Sequence, residues 1–117
     1  LPFFHGEREE VVYLLCLDAK CKALDCVLIH RGGVNVASIA ARKVVKAALD
    51  SNATSVVLAH NHPSGLALPS QEDKQTTMVL KAALDAVGVV LADHIIVADD
   101  DFVSMRDDGI LEGTYGL

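Results

Sequence analysis

Two histidines two residues apart, His60 and His62, close an apolar run, and a loop carrying Pro63, Gly65 and Pro69 leads from them to Ser70 and Asp73. In extended chain, residues i and i+2 point the same way, so the two imidazoles can converge on one ion while Asn61 faces away. Zinc accepts imidazole nitrogen at about 2.0 Å and carboxylate oxygen at about 2.0–2.2 Å, and its catalytic sites take three protein ligands and leave one position for water. Asp73 is the candidate third ligand. Ser70-x-x-Asp73 is also a capping box, in which hydroxyl and carboxylate satisfy the free N–H groups of a helix start. The two readings are compatible if the carboxylate turns inward.

Helical phase decides where Asp73 points. Asp73, Thr77, Leu80 and Leu84 stack at i, i+4, i+7 and i+11, so the aspartate shares the apolar stripe of a helix predicted over 70–87. That stripe comprises Leu80, Ala83, Leu84 and Val87, with Gly88 as the C-cap candidate. A strand over 54–59 delivers His60 at its end. Upstream, the runs 10–17 and 23–30 are apolar on both parities and read as buried strands joined by a short hairpin break at Asp18-Ala19-Lys20. Between them and the histidines, Ala41, Val44, Val45, Ala48 and Leu49 recur at helical spacing over 38–50. Ser38 is the candidate N-cap there and Ser51-Asn52 the stop. Downstream, 89–97 reads as a fourth strand interrupted by Asp93-His94, and 102–105 as a short fifth. The tail from Arg106 has little pattern.

Composition agrees with this order. The 117 residues are 51% hydrophobic but only 4% aromatic, without Trp, which suits a sheet of Val, Leu and Ile covered by helices. The chain has the size of a single domain, 1–117, and because it begins at Leu1 it is expected to be a piece of a longer protein. The fold class is α/β, a mixed sheet flanked by helices. A net charge of −6 lacks the footprint that drives binding to phosphate backbones, so nucleic acid is not expected for this domain alone. Arg42, Lys43 and Lys46 form the only basic cluster and read as a solvated helix face. Cys16, Cys21 and Cys26 make neither a CxxC pair nor an even-numbered framework, as befits reduced thiols in the cytoplasm. No apolar run reaches membrane-spanning length.

The spacing His60-x-His62-x7-Ser70-x2-Asp73 matches the JAMM motif of the MPN-type metalloproteases. Asn61-His62-Pro63-Ser64-Gly65 and Pro69-Ser70 resemble the bacterial RadC branch of that family. The likeness extends to Glu10 with Leu17-Asp18, the helix through Arg42, Asp93-His94-Ile95-Ile96 and Val103-Ser104, covering nearly all of residues 8–112. In the first helix the RadC pattern usually reads Pro-Arg-Glu, whereas this chain has Ala41-Arg42-Lys43, so a charge-based role for that segment does not carry over.

The resemblance implies an MPN/JAMM, cytidine-deaminase-like α/β/α architecture and a zinc ion held by His60, His62 and Asp73. It also implies a glutamate on the first strand as general base and a loop serine that helps hold the oxyanion. Those roles map to Glu10 and Ser70. Residue chemistry alone leaves Glu7, Glu9 and Glu10 open as the base, although strand parity sets Glu9 on the face opposite to Glu10. The expected reaction is hydrolysis of a peptide or isopeptide bond in a protein or peptide substrate.

Two further expectations stand beside it. One is a metal-binding or scaffold module that cleaves nothing; the other follows from the family's traditional name, DNA repair protein RadC, with any nucleic-acid contact made by another domain. Other zinc chemistries lack their signatures, since neither H-x-E with P-C-x-x-C nor H-E-x-x-H occurs. An HNH nuclease site is assembled across a hairpin and helix rather than from one tripeptide. Asp93 and His94 read as a polar pair at a strand end, with orientation of the metal histidines as the alternative. His5 and His30 have no ligand-type neighbour at metal spacing and read as incidental.

Overall fold

A computed structural model describes residues 10–32, 41–61, 71–98 and 101–105. Its strands are β1 (Glu10–Leu17), β2 (Ala23–Gly32), β3 (Ser55–Asn61), β4 (Val90–Ala98) and β5 (Asp101–Ser104), and its helices are α1 (Ala41–Asp50) and α2 (Gln71–Ala86). They form a five-stranded sheet in the order β2-β1-β3-β4-β5. β3 and β4 are parallel, joined through α2, and every other pairing is antiparallel. The fold class is therefore the mixed α/β sheet that the residue pattern predicts.

Alternation sorts the strands into two faces. Val12, Leu14 and Cys16 of β1, Val56 and Leu58 of β3 and Leu91 of β4 pack with Val44 and Ala48 of α1 and Leu80 and Leu84 of α2 in one core cluster. Both described helices thus lie on the same side of the sheet, and they also touch one another. The opposite side holds a smaller cluster of Val11 and Val97 with Tyr13, Ala59 and Ile95 packed against it. Among the described residues no helix covers that second face, and none is long and apolar enough to cross a membrane.

Several boundaries move relative to the pattern. β2 was expected to be a buried run, but it is the sheet's edge strand, and Leu24 and Leu28 are exposed. Val87 and Leu49 likewise fall outside the buried stripes of their helices. β3 continues through His60 and Asn61 instead of stopping at Ala59. The predicted interruption of β4 is a β-bulge: Val56 pairs with Leu91, yet Val57 pairs with Asp93, and the ladder runs on from there.

Local chemistry closes the turns and helices. Between β1 and β2, the Asp18 carboxylate accepts from the N–H groups of Lys20 (2.8 Å) and Lys22 (2.9 Å), while Cys21 adopts a positive φ of 62°. An Asp that binds backbone two residues on is a turn former in its own right. Both helices end in Schellman motifs. After α1, Ala53 N–H donates to Ala48 O and Asn52 N–H to Leu49 O, with Asn52 at φ 54°. After α2, Val89 N–H donates to Leu84 O and Gly88 N–H to Asp85 O, with Gly88 at φ 79°.

Candidate metal centre

His60 belongs to the helix-facing side of β3, in phase with Val56 and Leu58, and its side chain is fully buried. Asp73 occupies the first turn of α2 and is only 2% exposed. Strand end and helix start therefore converge, and His60 Nε2 stands 3.5 Å from Asp73 Oδ1. A direct N–H···O bond closes to about 2.7–3.2 Å, so this gap is wide for one. Two donors on the same tetrahedral zinc, at the bond lengths above, lie about 3.4 Å apart. The separation fits a shared cation. Asp73 at a helix N-terminus is also favourably placed for its negative charge.

The other residues of the proposed set differ in what the structure describes. His62 and Ser70 lie outside the described residues. Glu10 opens β1 opposite Gly32, and its backbone is two residues upstream of Val12, the partner of His60; its side chain is not described. Among the described residues no three His, Cys, Asp or Glu side chains form a metal-holding group. His30 pairs with Val12, which in turn pairs with His60. It is thus two strands, about 10 Å, from the candidate ligand, and His5 lies outside the described residues.

Two residues that spacing did not single out as site members, His94 and Thr77, turn out to touch it. His94 is buried beside His60: its Nε2 lies 2.7 Å from His60 Nδ1, with ring centroids 4.7 Å apart. His94 thus contacts a candidate ligand rather than merely ending a strand, while Asp93 faces the other side of the sheet. There its carboxylate accepts from the His94 backbone N–H (2.7 Å) and from the Ser104 hydroxyl (2.5 Å). Thr77, one turn beyond Asp73, places its hydroxyl 2.5 Å from His94 Nδ1 and donates to the Asp73 carbonyl at 2.7 Å. Asn61 does face away from His60, as alternation requires, and its Oδ1 accepts from the Val11 N–H at 2.6 Å. That bond ties the chain next to Glu10 to the strand carrying His60.

Comparison with known proteins gives one family. The profile described as the RadC-like JAB domain matches residues 2–110. A UPF0758 protein of Pseudoalteromonas translucida (strain TAC 125) is 43% identical over 106 residues, which are 91% of this chain and 47% of that protein. A UPF0758 protein of Ectopseudomonas mendocina (strain ymp) is 47% identical over 103 residues, covering 88% of this chain and 46% of the relative. The chain thus spans about half the length of the curated relatives it matches.

Proposed function

The chain belongs to the RadC-like JAB domain family, and from that membership and the placement of His60 against Asp73 we propose that it is a zinc-dependent hydrolase of JAMM type. Its substrate is a protein or peptide, and the bond cleaved is a peptide or isopeptide bond. The observation that carries the reading is the 3.5 Å separation of two buried donors, an imidazole nitrogen and a carboxylate oxygen.

His60, His62 and Asp73 would hold the metal. Zinc, when bound, supplies Lewis acidity that polarises a carbonyl and lowers the pKa of water to about 7. Glu10 takes a proton from the attacking water and returns it to the departing amine, the work of a general acid–base carboxylate. Ser70 donates a hydrogen bond to the oxygen of the reacting carbonyl as negative charge develops there. Burial of His60 and Asp73 keeps bulk water from these two donors and strengthens their electrostatic interactions. A cytoplasmic location belongs to the same proposal, motivated by three cysteines that stay free.

Metal analysis of the purified protein tests the site. Zinc near one per chain, lost in both His60→Ala and Asp73→Ala, is the expected result; equal metal content in wild type and both variants removes the basis of the reading. Chemistry is tested separately, by comparing peptide termini in cells carrying wild type, Glu10→Gln or Glu9→Gln. Cleavage products should vanish with Glu10→Gln alone, and loss with Glu9→Gln instead would reassign the base.

A further inference from the structure

A neutral imidazole has one N–H and one lone pair, and a ligand histidine is useful only if the lone pair is on the nitrogen that faces the metal. His60 turns Nε2 toward Asp73 and Nδ1 toward His94. We infer that Thr77 and His94 form a relay that fixes the proton of His60 on Nδ1 and its lone pair on Nε2, making both of them positioning residues for the metal. This rests on the zinc reading above.

The hydroxyl of Thr77 settles the direction. It has a single proton and stands near three partners: the Asp73 carbonyl at 2.7 Å, His94 Nδ1 at 2.5 Å and Met105 Sδ at 3.4 Å. A carbonyl oxygen only accepts, and a thioether sulfur is a weak acceptor, so the proton goes to Asp73 O. The Thr77 oxygen must then accept from His94 Nδ1–H. His94, with its proton on Nδ1, offers a lone pair at Nε2, and the 2.7 Å contact is completed by His60 Nδ1–H. His60 Nε2 is left with the lone pair, 3.5 Å from the carboxylate.

The relay is held from both ends. Thr77 bonds the backbone of Asp73 one turn earlier on α2, so a single hydroxyl ties together the supports of both donors. His94 is pinned through its backbone, whose N–H donates to the Asp93 carboxylate and whose carbonyl accepts from Met105 N–H at 3.0 Å.

The test uses wild type, Thr77→Val, Thr77→Ser and His94→Leu in two measurements. Zinc affinity is measured by competition with a chromophoric chelator, and imidazole nitrogen shifts in the zinc-loaded protein report which ring nitrogen of His60 bears hydrogen. The expected result is His60 with Nδ1–H and metal at Nε2 in wild type. Zinc affinity should weaken about 10–100-fold in Thr77→Val and His94→Leu and stay close to wild type in Thr77→Ser. A merely structural role would lower the urea midpoint of the variants and leave affinity and tautomer alone, which overturns the inference. So does wild-type His60 binding through Nδ1, a measurement that needs no variant to fold. If wild type itself takes up no zinc, the metal reading falls and takes the relay with it, a result distinct from variants that bind as tightly as wild type.

Discussion

Replacing Asn61 by alanine removes the acceptor of a buried backbone donor, and the size of the loss can be worked out from the ladder. The β1–β3 pairing starts at Val12 opposite His60, so the N–H of Val11 lies one residue beyond it, and Asn61 Oδ1 takes it up at 2.6 Å. Val11 has no exposed surface, which denies the orphaned group a hydration shell. An unsatisfied buried donor costs about 1–3 kcal/mol. For a domain of this size that corresponds to a fall in Tm of about 3–6 °C per kcal/mol. Urea titration should show a lower midpoint at unchanged slope. Local opening should speed hydrogen exchange of the Val11 amide by about 5–150-fold, the same free energy read at one residue. Asn61→Asp keeps an acceptor oxygen, so its Val11 amide should stay protected even where burial of the charge lowers global stability. An alanine variant within about 0.5 kcal/mol of wild type, with Val11 exchange unaltered, would refute the argument. On the proposed chemistry the alanine variant should also lower kcat more than zinc content, because Val11 follows Glu10 directly while His60 stays on its ladder.

Other substitutions test the packing and the caps. Leu84→Ala empties a fully buried position in the cluster between α1, α2 and the sheet and should cost about 2–5 kcal/mol by urea denaturation. Gly88→Ala meets no atom within 4 Å but must adopt a φ of 79°, so the cost of about 1–2 kcal/mol is conformational. Gly88→Asn should cost less, since Asn52 holds the same position after α1. Thiol titration with a chromogenic disulfide at mildly alkaline pH should label exposed Cys21 first, Cys26 more slowly, and buried Cys16 only on unfolding. Burial pushes the Cys26 thiol up, helped by the Asp25 charge, and burial likewise raises Cys16 against a hydrogen bond with Ser51. Both therefore remain protonated, and unreactive, to higher pH than an ordinary thiol.

How far the site was legible in the residues depends on which geometry each feature needed. The inward turn of Asp73 follows from helical phase with Thr77, Leu80 and Leu84, and all four are buried. The approach of His60 to Asp73 follows from a strand end, a loop and a helix start, each with its own local signal. Edge exposure of β2 could not be read, because apolar content is the same for an inner strand and for one with a single neighbour. Asn61 could be placed on the far face but not bonded to Val11, since that partner is fifty residues away.

His94 shows the limit most sharply. Leu91 and His94 are three residues apart, and on a regular strand such residues face opposite sides. Both nevertheless share the helix-facing side here, Leu91 in the core and His94 against His60, because the bulge shifts the β3–β4 register by one residue between them. Without that extra residue an inward Leu91 would turn Asp93 toward the helices and His94 away, leaving a carboxylate where the imidazole now stands. Two adjacent polar residues inside an apolar strand were the available signal, and it reads as an interruption unless a bulge is allowed for. Alternation predicts which face a side chain takes only as far as the next bulge, and in this chain the bulge falls between Leu91, which packs in the helix-side core, and the ring that supports His60.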